Sequence, residues 1–418
     1  MKELPSLNSP LLEGNLSPTL LLEAACKYQT PLYVYDFDRI EDFYQQFKLA
    51  FGGRKTLICY ALKANSNLSV IAKLASLESG ADCVSLGEIK RALMAGIPKY
   101  KIIYSGVGKQ DYEIKEALEI GFLFINTESN EELLRVEKIA QSLGISARIS
   151  VRVNPDINPQ THPYISTGLK ENKFGVSIEE AKKMYLYAHK SKYLEPVGIH
   201  FHIGSQITKL QPLIESSQKI ATLLRSLLAL KIEIKFFDIG GGIGVVYSDE
   251  NLINPYDYAQ EILNTLRGLD VTIICEPGRY LVGNCGVLLV KVLYEKAHLH
   301  KRFVIVDGAM NDLIRPSLYN AYHQILPLGD YQGQLSEADI VGPICESSDY
   351  LGKNIPLPPL KNGDLLAVLS SGAYGFSMAS NYNTRGRAAE VAIQKGQISL
   401  IRKRETFEDL IALEKEFL

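Results

Sequence analysis

What the chain lacks narrows its class before any motif is read. Cysteines are few, six in 418 residues: Cys26, Cys59, Cys83, Cys275, Cys285 and Cys345. No two stand at C-x-x-C or a similar metal-ligand spacing, and they are too sparse for a disulfide framework. Reduced thiols in a cytoplasmic protein, and no metal site, are expected. An excess of either charge is also missing, since 45 Lys and Arg against 47 Asp and Glu leave −2. Such a balance gives neither nucleic acid nor an anionic membrane an electrostatic hold. Long apolar runs are absent. The segment LVGNCGVLLVKVL (281–293) is too short to span a bilayer and is broken by Asn284 and Lys291. The N-terminus has no cationic start followed by an apolar run, so no signal peptide is expected.

What is present describes a folded enzyme-sized chain. With 46% hydrophobic and 22% charged residues it can bury large cores, which excludes a mainly disordered protein. Its length fits a barrel of about 250 residues plus a second domain. LYVYD (32–36) reads as a strand and residues 36–51 as an amphipathic helix. Eight apolar, β-branched runs then follow, at 56–62, 81–86, 101–106, 122–127, 147–154, 195–205, 234–242 and 271–278. Helical patterns such as 129–144, 177–192, 210–231 and 254–269 separate most of them. Strands alternating with helices imply a parallel sheet, and eight such units suggest a closed (β/α)8 TIM barrel over residues 37–282. A doubly wound open sheet is the alternative. After residue 283 strand-like runs follow one another without long helices (286–296, 301–310, 365–375, 390–405), around a Pro/Gly-rich stretch at 355–364. Residues 283–418 are therefore expected to form a β-rich, sandwich- or barrel-like domain, with residues 1–36 supplying it an N-terminal strand.

The groups capable of chemistry fall at the ends of barrel strands. Lys63 closes the first, where its amine would point into the barrel mouth. A desolvated lysine can act as a nucleophile or form a Schiff base, although position alone also suits a solvated surface lysine. His202 and Ser205 follow the sixth strand in HFHIGSQ, an imidazole that can stack and a hydroxyl that can donate to a phosphate. A core histidine bonded to a backbone carbonyl is the plainer alternative. Gly240, Gly241 and Gly242 end the seventh strand, and glycines let backbone N–H groups approach a phosphate. A tight strand-to-helix turn would also use them, and the spacing is not that of a dinucleotide fingerprint. Glu276 and Arg279 end the eighth strand, with Pro277 and Gly278 turning the chain between them. A structural ion pair would look the same. Together, an amine, an imidazole, a phosphate-type loop and a carboxylate at one barrel mouth match the needs of pyridoxal 5′-phosphate (PLP).

The segments YALKAN (60–65), HFHIGSQ (200–206), DIGGGIG (238–244) and EPGR (276–279) resemble the signatures of the fold type III, alanine-racemase-like PLP decarboxylases. The segments NPQTHPYISTGLKENKFGV (158–176), RPSLYNAYH (315–323), GPICESSD (342–349) and GAYGFSMASNYN (372–383) extend the resemblance over almost the whole chain. It implies a barrel followed by a β domain that takes in the N-terminal strand, and a homodimer whose active sites are shared between subunits. It implies that Lys63 carries the cofactor and His202 packs on its face. Ser205 and Gly240–Gly242 would hold the phosphate, with Pro277, Gly278 and Arg279 nearby, and Glu276 would pair with the pyridine nitrogen. Racemases of this fold place an arginine there, so the acid favours decarboxylation. By the same resemblance Arg279, Arg315 and Tyr319 bind a substrate carboxylate. Glu346 faces a distal ammonium, Tyr374 touches cofactor and substrate, and Cys345 donates a proton from the partner subunit. The implied substrate is an amino acid with a second amino-acid head. Decarboxylation of ornithine, arginine or a carboxylated polyamine, racemisation, and non-catalytic PLP binding are the competing readings.

Overall fold

Each of the eight apolar runs forms a strand. In the computed structural model, which describes residues 9–159, 173–299, 301–329, 331 and 333–418, β1 (Leu32–Asp36) comes first. It is followed by β2 (Thr56–Ala61), β3 (Gly80–Cys83), β4 (Ile102–Tyr104), β5 (Phe124–Thr127), β6 (Ala147–Arg152), β7 (Leu194–His200), β8 (Phe236–Asp238) and β9 (Thr272–Cys275). Strands β2 to β9 are parallel and close into a barrel, with β2 bonded to both β3 and β9. That closure excludes the open sheet. Parallel strands covered by helices are buried on both faces, so they read as continuous apolar runs and not as alternations. Cys59, Ile103, Leu123, Phe124, Val197 and Ile274 form one buried cluster of this unit.

Three intervening helices start alike, at Leu86–Met94, Asn130–Leu143 and Ile178–Lys190. The side chains of Ser85, Ser129 and Ser177 accept from the backbone N–H of Glu88, Glu132 and Glu180 respectively. Each hydroxyl satisfies one of the unpaired N–H groups of a helix start. Because all eight strands run the same way, their C-terminal ends form a single rim.

The chain divides into two units. Glu41–Val245 and Asn251–Leu281 hold the barrel; Met1–Ile40, Val246–Glu250 and Val282–Leu418 make the other. The second unit contains β10 (Gly286–His298), β11 (Lys301–Val306), β12 (Ile325–Pro327), β13 (Ser336–Val341), β14 (Tyr350–Leu357), β15 (Leu365–Val368), β16 (Ala389–Gln394) and β17 (Gln397–Arg402). With β1 they build a nine-stranded mixed sheet of order β14-β13-β11-β10-β1-β16-β17, to which β15 and β12 attach beside β10. The N-terminal strand does join this sheet: β1 is antiparallel to β10 and parallel to β16. Its residues pack in a core with Leu16, Leu289, Leu369 and Val391.

Two features exceed what the sequence reading assigns. A helix, Pro18–Tyr28, precedes β1, and Pro18 right after Ser17 is its start signal. The Pro-rich stretch begins inside a strand: Pro356 belongs to β14 and pairs with Glu337. An edge strand tolerates a proline, because one side of its backbone needs no partner. Among the described residues no helix is long and apolar enough to cross a membrane. All six cysteines are free thiols.

Candidate active site

Lys63 leaves β2 in a single 3-10 turn, Leu62–Ala64, which lifts its side chain to the barrel rim. Its Nζ lies 2.8 Å from Oδ2 of Asp82, a fully buried carboxylate on the adjacent β3. Burial pushes the Asp82 carboxyl up, the Glu276 charge adds to this, and the Lys63 ammonium opposes both. The pair is half open to solvent on the lysine side, so the amine is accessible while its counter-ion is not.

Glu276 sits directly after β9 within a buried cluster. Its Oε2 is 3.4 Å from Nε2 of His200 at the end of β7. Donor atoms of His200, Glu276 and Asp238, the last residue of β8, all lie within 4.8 Å of one another. Two buried carboxylates this close cannot both be charged without great cost. Burial pushes Asp238 well above the usual range and the neighbouring Glu276 charge pushes the same way, against the Gly240 N–H that Asp238 accepts at 2.9 Å. Burial also opposes a charge on Glu276, but the adjacent His200 ring and then Lys63 outweigh it and hold this carboxyl at about 2. Asp238 therefore keeps the proton and Glu276 the charge.

The glycine turn follows Asp238. Gly240 has φ +62°, and a Cβ on it would stand 2.6 Å from the Phe201 carbonyl oxygen. A Cβ on Gly241 would overlap the carbonyl oxygen of Glu276. The turn is thus a cradle that any side chain would fill. The Gly241 N–H donates to Nδ1 of His202 at 3.2 Å. Desolvation, followed by the charges of Arg152 and Lys63, lowers the His202 imidazole well below its ordinary value, so its ring is neutral. Ser205 accepts from Nε and Nη2 of Arg279 at 3.3 and 3.0 Å, leaving its own proton to donate. Arg279 opens the short helix Arg279–Val282, and the Pro277 carbonyl before it accepts from the Ala61 N–H at 3.3 Å, tying the turn to β2. Gly241→Ala is expected to displace the Glu276 backbone by overpacking, costing about 1–3 kcal/mol. The melting temperature and retention of cofactor through dialysis should both fall; a variant equal to the parent in both would contradict the cradle.

The second unit carries the other named residues. Arg315 begins the helix Arg315–Tyr319 and is buried, while Tyr319 at its end is half-buried. Ser317 Oγ donates to the Ser348 carbonyl at 2.6 Å, joining this helix to the 342–349 segment. In that segment Asp349 accepts from the backbone N–H groups of Met310 (2.7 Å) and Ile344 (2.8 Å), which folds it into a closed loop. Cys345 and Glu346 stand exposed at its tip. They are held there: the Cys345 N–H donates to Asn383 Oδ1 at 3.0 Å, and Tyr382 O–H donates to Glu346 Oε1 at 2.5 Å. Tyr374 has φ 56° and is half-buried. The loop motif at 158–176 falls largely on residues 160–172, outside those described.

Residues 37–283 match the pyridoxal-dependent decarboxylase family, in its pyridoxal binding domain. The chain belongs to that family. It is 59% identical to a diaminopimelate decarboxylase of Helicobacter pylori over 94% of this chain and 97% of that one. It is 56% identical to a diaminopimelate decarboxylase of Campylobacter jejuni, over 94% and 98% of the two chains. The crystal structure of the Helicobacter pylori diaminopimelate decarboxylase complexed with L-lysine superposes with a TM-score of 0.93, at 58% identity, covering 95% of this chain and 100% of that one. The protein is thus a PLP-dependent carboxy-lyase with a (β/α)8 barrel and a β domain.

Within this decarboxylase the barrel rim gathers Lys63, His202, Ser205, Gly240–Gly242, Glu276 and Arg279, as the sequence reading expects of strand ends. That reading omits Asp82, which pairs with Lys63, and His200 and Asp238, which surround Glu276. A signal existed for two of them: His200 is the first histidine of HFH and Asp238 precedes the three glycines. It also omits the buried pair of Arg152 Nη1 with Glu128 Oε1 (3.0 Å), whose cation helps keep His202 neutral.

Proposed function

We propose that this protein is a cytoplasmic homodimer that decarboxylates meso-2,6-diaminopimelate to L-lysine and carbon dioxide, the last step of lysine biosynthesis. The likeness to the two diaminopimelate decarboxylases over 94% of the chain carries the choice of substrate. PLP, when bound, supplies an electron sink for the bond pair that departing carbon dioxide leaves behind. The residues present fit that group: an accessible amine, a cradle without Cβ atoms, and an ionised acid.

In this reading Lys63 holds the cofactor, and Asp82 is the counter-ion that receives its ammonium when the substrate amine replaces it. Ser205 and the Gly240–Gly242 turn hold the phosphate, beside Pro277, Gly278 and Arg279. Neutral His202 lies on the ring face and adds no charge of its own. Ionised Glu276 keeps a proton on the ring nitrogen, which favours loss of a carboxylate over racemisation. Asp238, which holds the proton, and the adjacent His200 ring keep Glu276 in that state.

Substrate selection follows from charge. Arg279, Arg315 and Tyr319 meet a carboxylate, Glu346 meets the distal ammonium, and Tyr374 touches both cofactor and substrate. Ornithine has no carboxylate at its far end and would leave a cation unpaired. Cys345 returns a proton to the carbon that lost carbon dioxide; an ordinary thiol pKa of ~8.5 lets it give and regain a proton near neutrality. Exposure of Cys345 and Glu346 at a braced loop tip supports their action across a subunit interface.

Two measurements test this. Carbon dioxide release should be fast from meso-diaminopimelate and at background from ornithine and arginine; comparable release from ornithine would overturn the substrate. Mixing inactive Lys63→Ala and Cys345→Ala dimers should restore part of the activity, because one site in a hybrid regains both groups. Hybrid dimers that form but stay inactive would exclude the shared site.

A further inference from the structure

We propose that His323 is a positioning residue that fixes the guanidinium of Arg315 and so sets selection for a substrate with a carboxylate at its far end. This rests on the reading above, in which Arg315 meets that carboxylate. The placement of His323 is a matter of backbone ladders. After the helix Arg315–Tyr319 the chain turns at Asn320 (φ 52°) and enters β12 opposite the last residue of its partner strand β15. β12 and β15 are antiparallel, with Ile325 opposite Val368. The ladder continues beyond them, because the Leu369 N–H donates to the Gln324 carbonyl at 2.9 Å. That bond turns the Leu369 carbonyl toward the imidazole, 2.8 Å from Nδ1 of His323.

These contacts decide the tautomer. A carbonyl only accepts, so Nδ1 carries the proton. Nη1 of Arg315 lies 3.0 Å from Nε2 of the same ring, and a guanidinium only donates, so Nε2 offers its lone pair. The ring is neutral and both nitrogens are engaged. Tyr247, which belongs to the same unit, closes the arrangement. Its ring meets the His323 ring edge-on, with centroids 5.3 Å apart at 83°, and the Arg315 guanidinium carbon stands 4.6 Å from its centroid. All three side chains are more than nine-tenths buried.

A neutral partner matters here. A carboxylate would hold Arg315 equally well but would cancel the charge that a substrate carboxylate needs. An imidazole acceptor with an aromatic face fixes the fork and leaves that charge in place. The guanidinium is then oriented before the ligand arrives, so less freedom is lost on binding.

The test uses the PLP-loaded enzyme and measures binding of L-lysine and cadaverine by calorimetry, beside kcat and KM for meso-diaminopimelate. Cadaverine lacks the carboxylate, so it reports on the rest of the site. His323→Phe should weaken L-lysine about 10-fold or more, in keeping with loss of a hydrogen bond to a charged group. It should leave cadaverine within about 2-fold and raise KM more than it lowers kcat. His323→Gln, which keeps an acceptor, should recover most of the loss. His323→Glu retains polarity and an acceptor but pairs Arg315 with an anion; it should lose L-lysine selectively, and it serves where the phenylalanine variant does not fold. If Arg315→Ala loses L-lysine while His323→Phe and His323→Glu bind it as the parent does, the positioning role is overturned. If Arg315→Ala itself binds L-lysine normally, the role of Arg315 is wrong and the inference falls with it.

Discussion

Lys63→Ala is expected to give a folded protein that no longer holds PLP covalently and has lost roughly 10²–10⁴-fold or more of its activity. The side chain is the accessible amine of the barrel rim, 2.8 Å from a buried acid. Borohydride treatment followed by mass spectrometry should attach cofactor to the parent at Lys63 and leave the variant unlabelled. Labelling at another lysine, or undiminished turnover, would overturn the assignment. The same variant has a signature in stability. The ammonium is an influence that lowers Asp82, so its removal raises that carboxyl further above its unfolded value. A carboxyl raised by folding takes stability away as pH climbs past its unfolded pKa, because the unfolded chain ionises first. The melting temperature of cofactor-free Lys63→Ala should therefore match that of the cofactor-free parent below about pH 4 and fall increasingly behind above it.

Arg315→Ala should lower kcat/KM on meso-diaminopimelate by roughly 10–150-fold, which corresponds to losing a charge-assisted contact of about 1.5–3 kcal/mol. PLP should remain bound, since the residues proposed to hold the cofactor, Tyr374 apart, belong to the barrel. Arg315→Lys should fall between the parent and alanine, because an ammonium keeps the charge but not the fork that faces His323 and Tyr247. The guanidinium is buried, so melting temperatures must accompany the kinetics. An unchanged kcat/KM in a folded Arg315→Ala protein would remove the basis for choosing diaminopimelate over ornithine.

The barrel was legible because its signals are local. Parallel strands buried on both faces give uninterrupted apolar runs, and TLICYA, ARISVR and TIIC lie where those runs predict strands. Glycine or proline follows β4, β6, β7, β8 and β9 within a few residues, so most rim residues could be named from position. The helix Pro18–Tyr28 was harder to see, since its Leu and Ala residues pack in the core of a sheet that, β1 apart, is made from chain more than 250 residues away. β14 was hidden for a similar reason: only its place at a sheet edge makes Pro356 acceptable in a strand.

The site divides in the same way. Sequence alone named the groups proposed to carry the chemistry, Lys63, His202, the Gly240–Gly242 turn, Glu276 and Arg315, because each belongs to a short motif whose residue types such a reaction would require. Tertiary structure decided their charges and orientations. Asp82 beside Lys63, Asp238 and His200 beside Glu276, and His323 with Tyr247 beside Arg315 come from other strands or loops. A proton's position between two buried carboxylates, or the tautomer of a buried imidazole, depends on distances of a few ångströms between segments remote in sequence. No local pattern encodes those distances; barrel closure and the β12–β15 ladder set them.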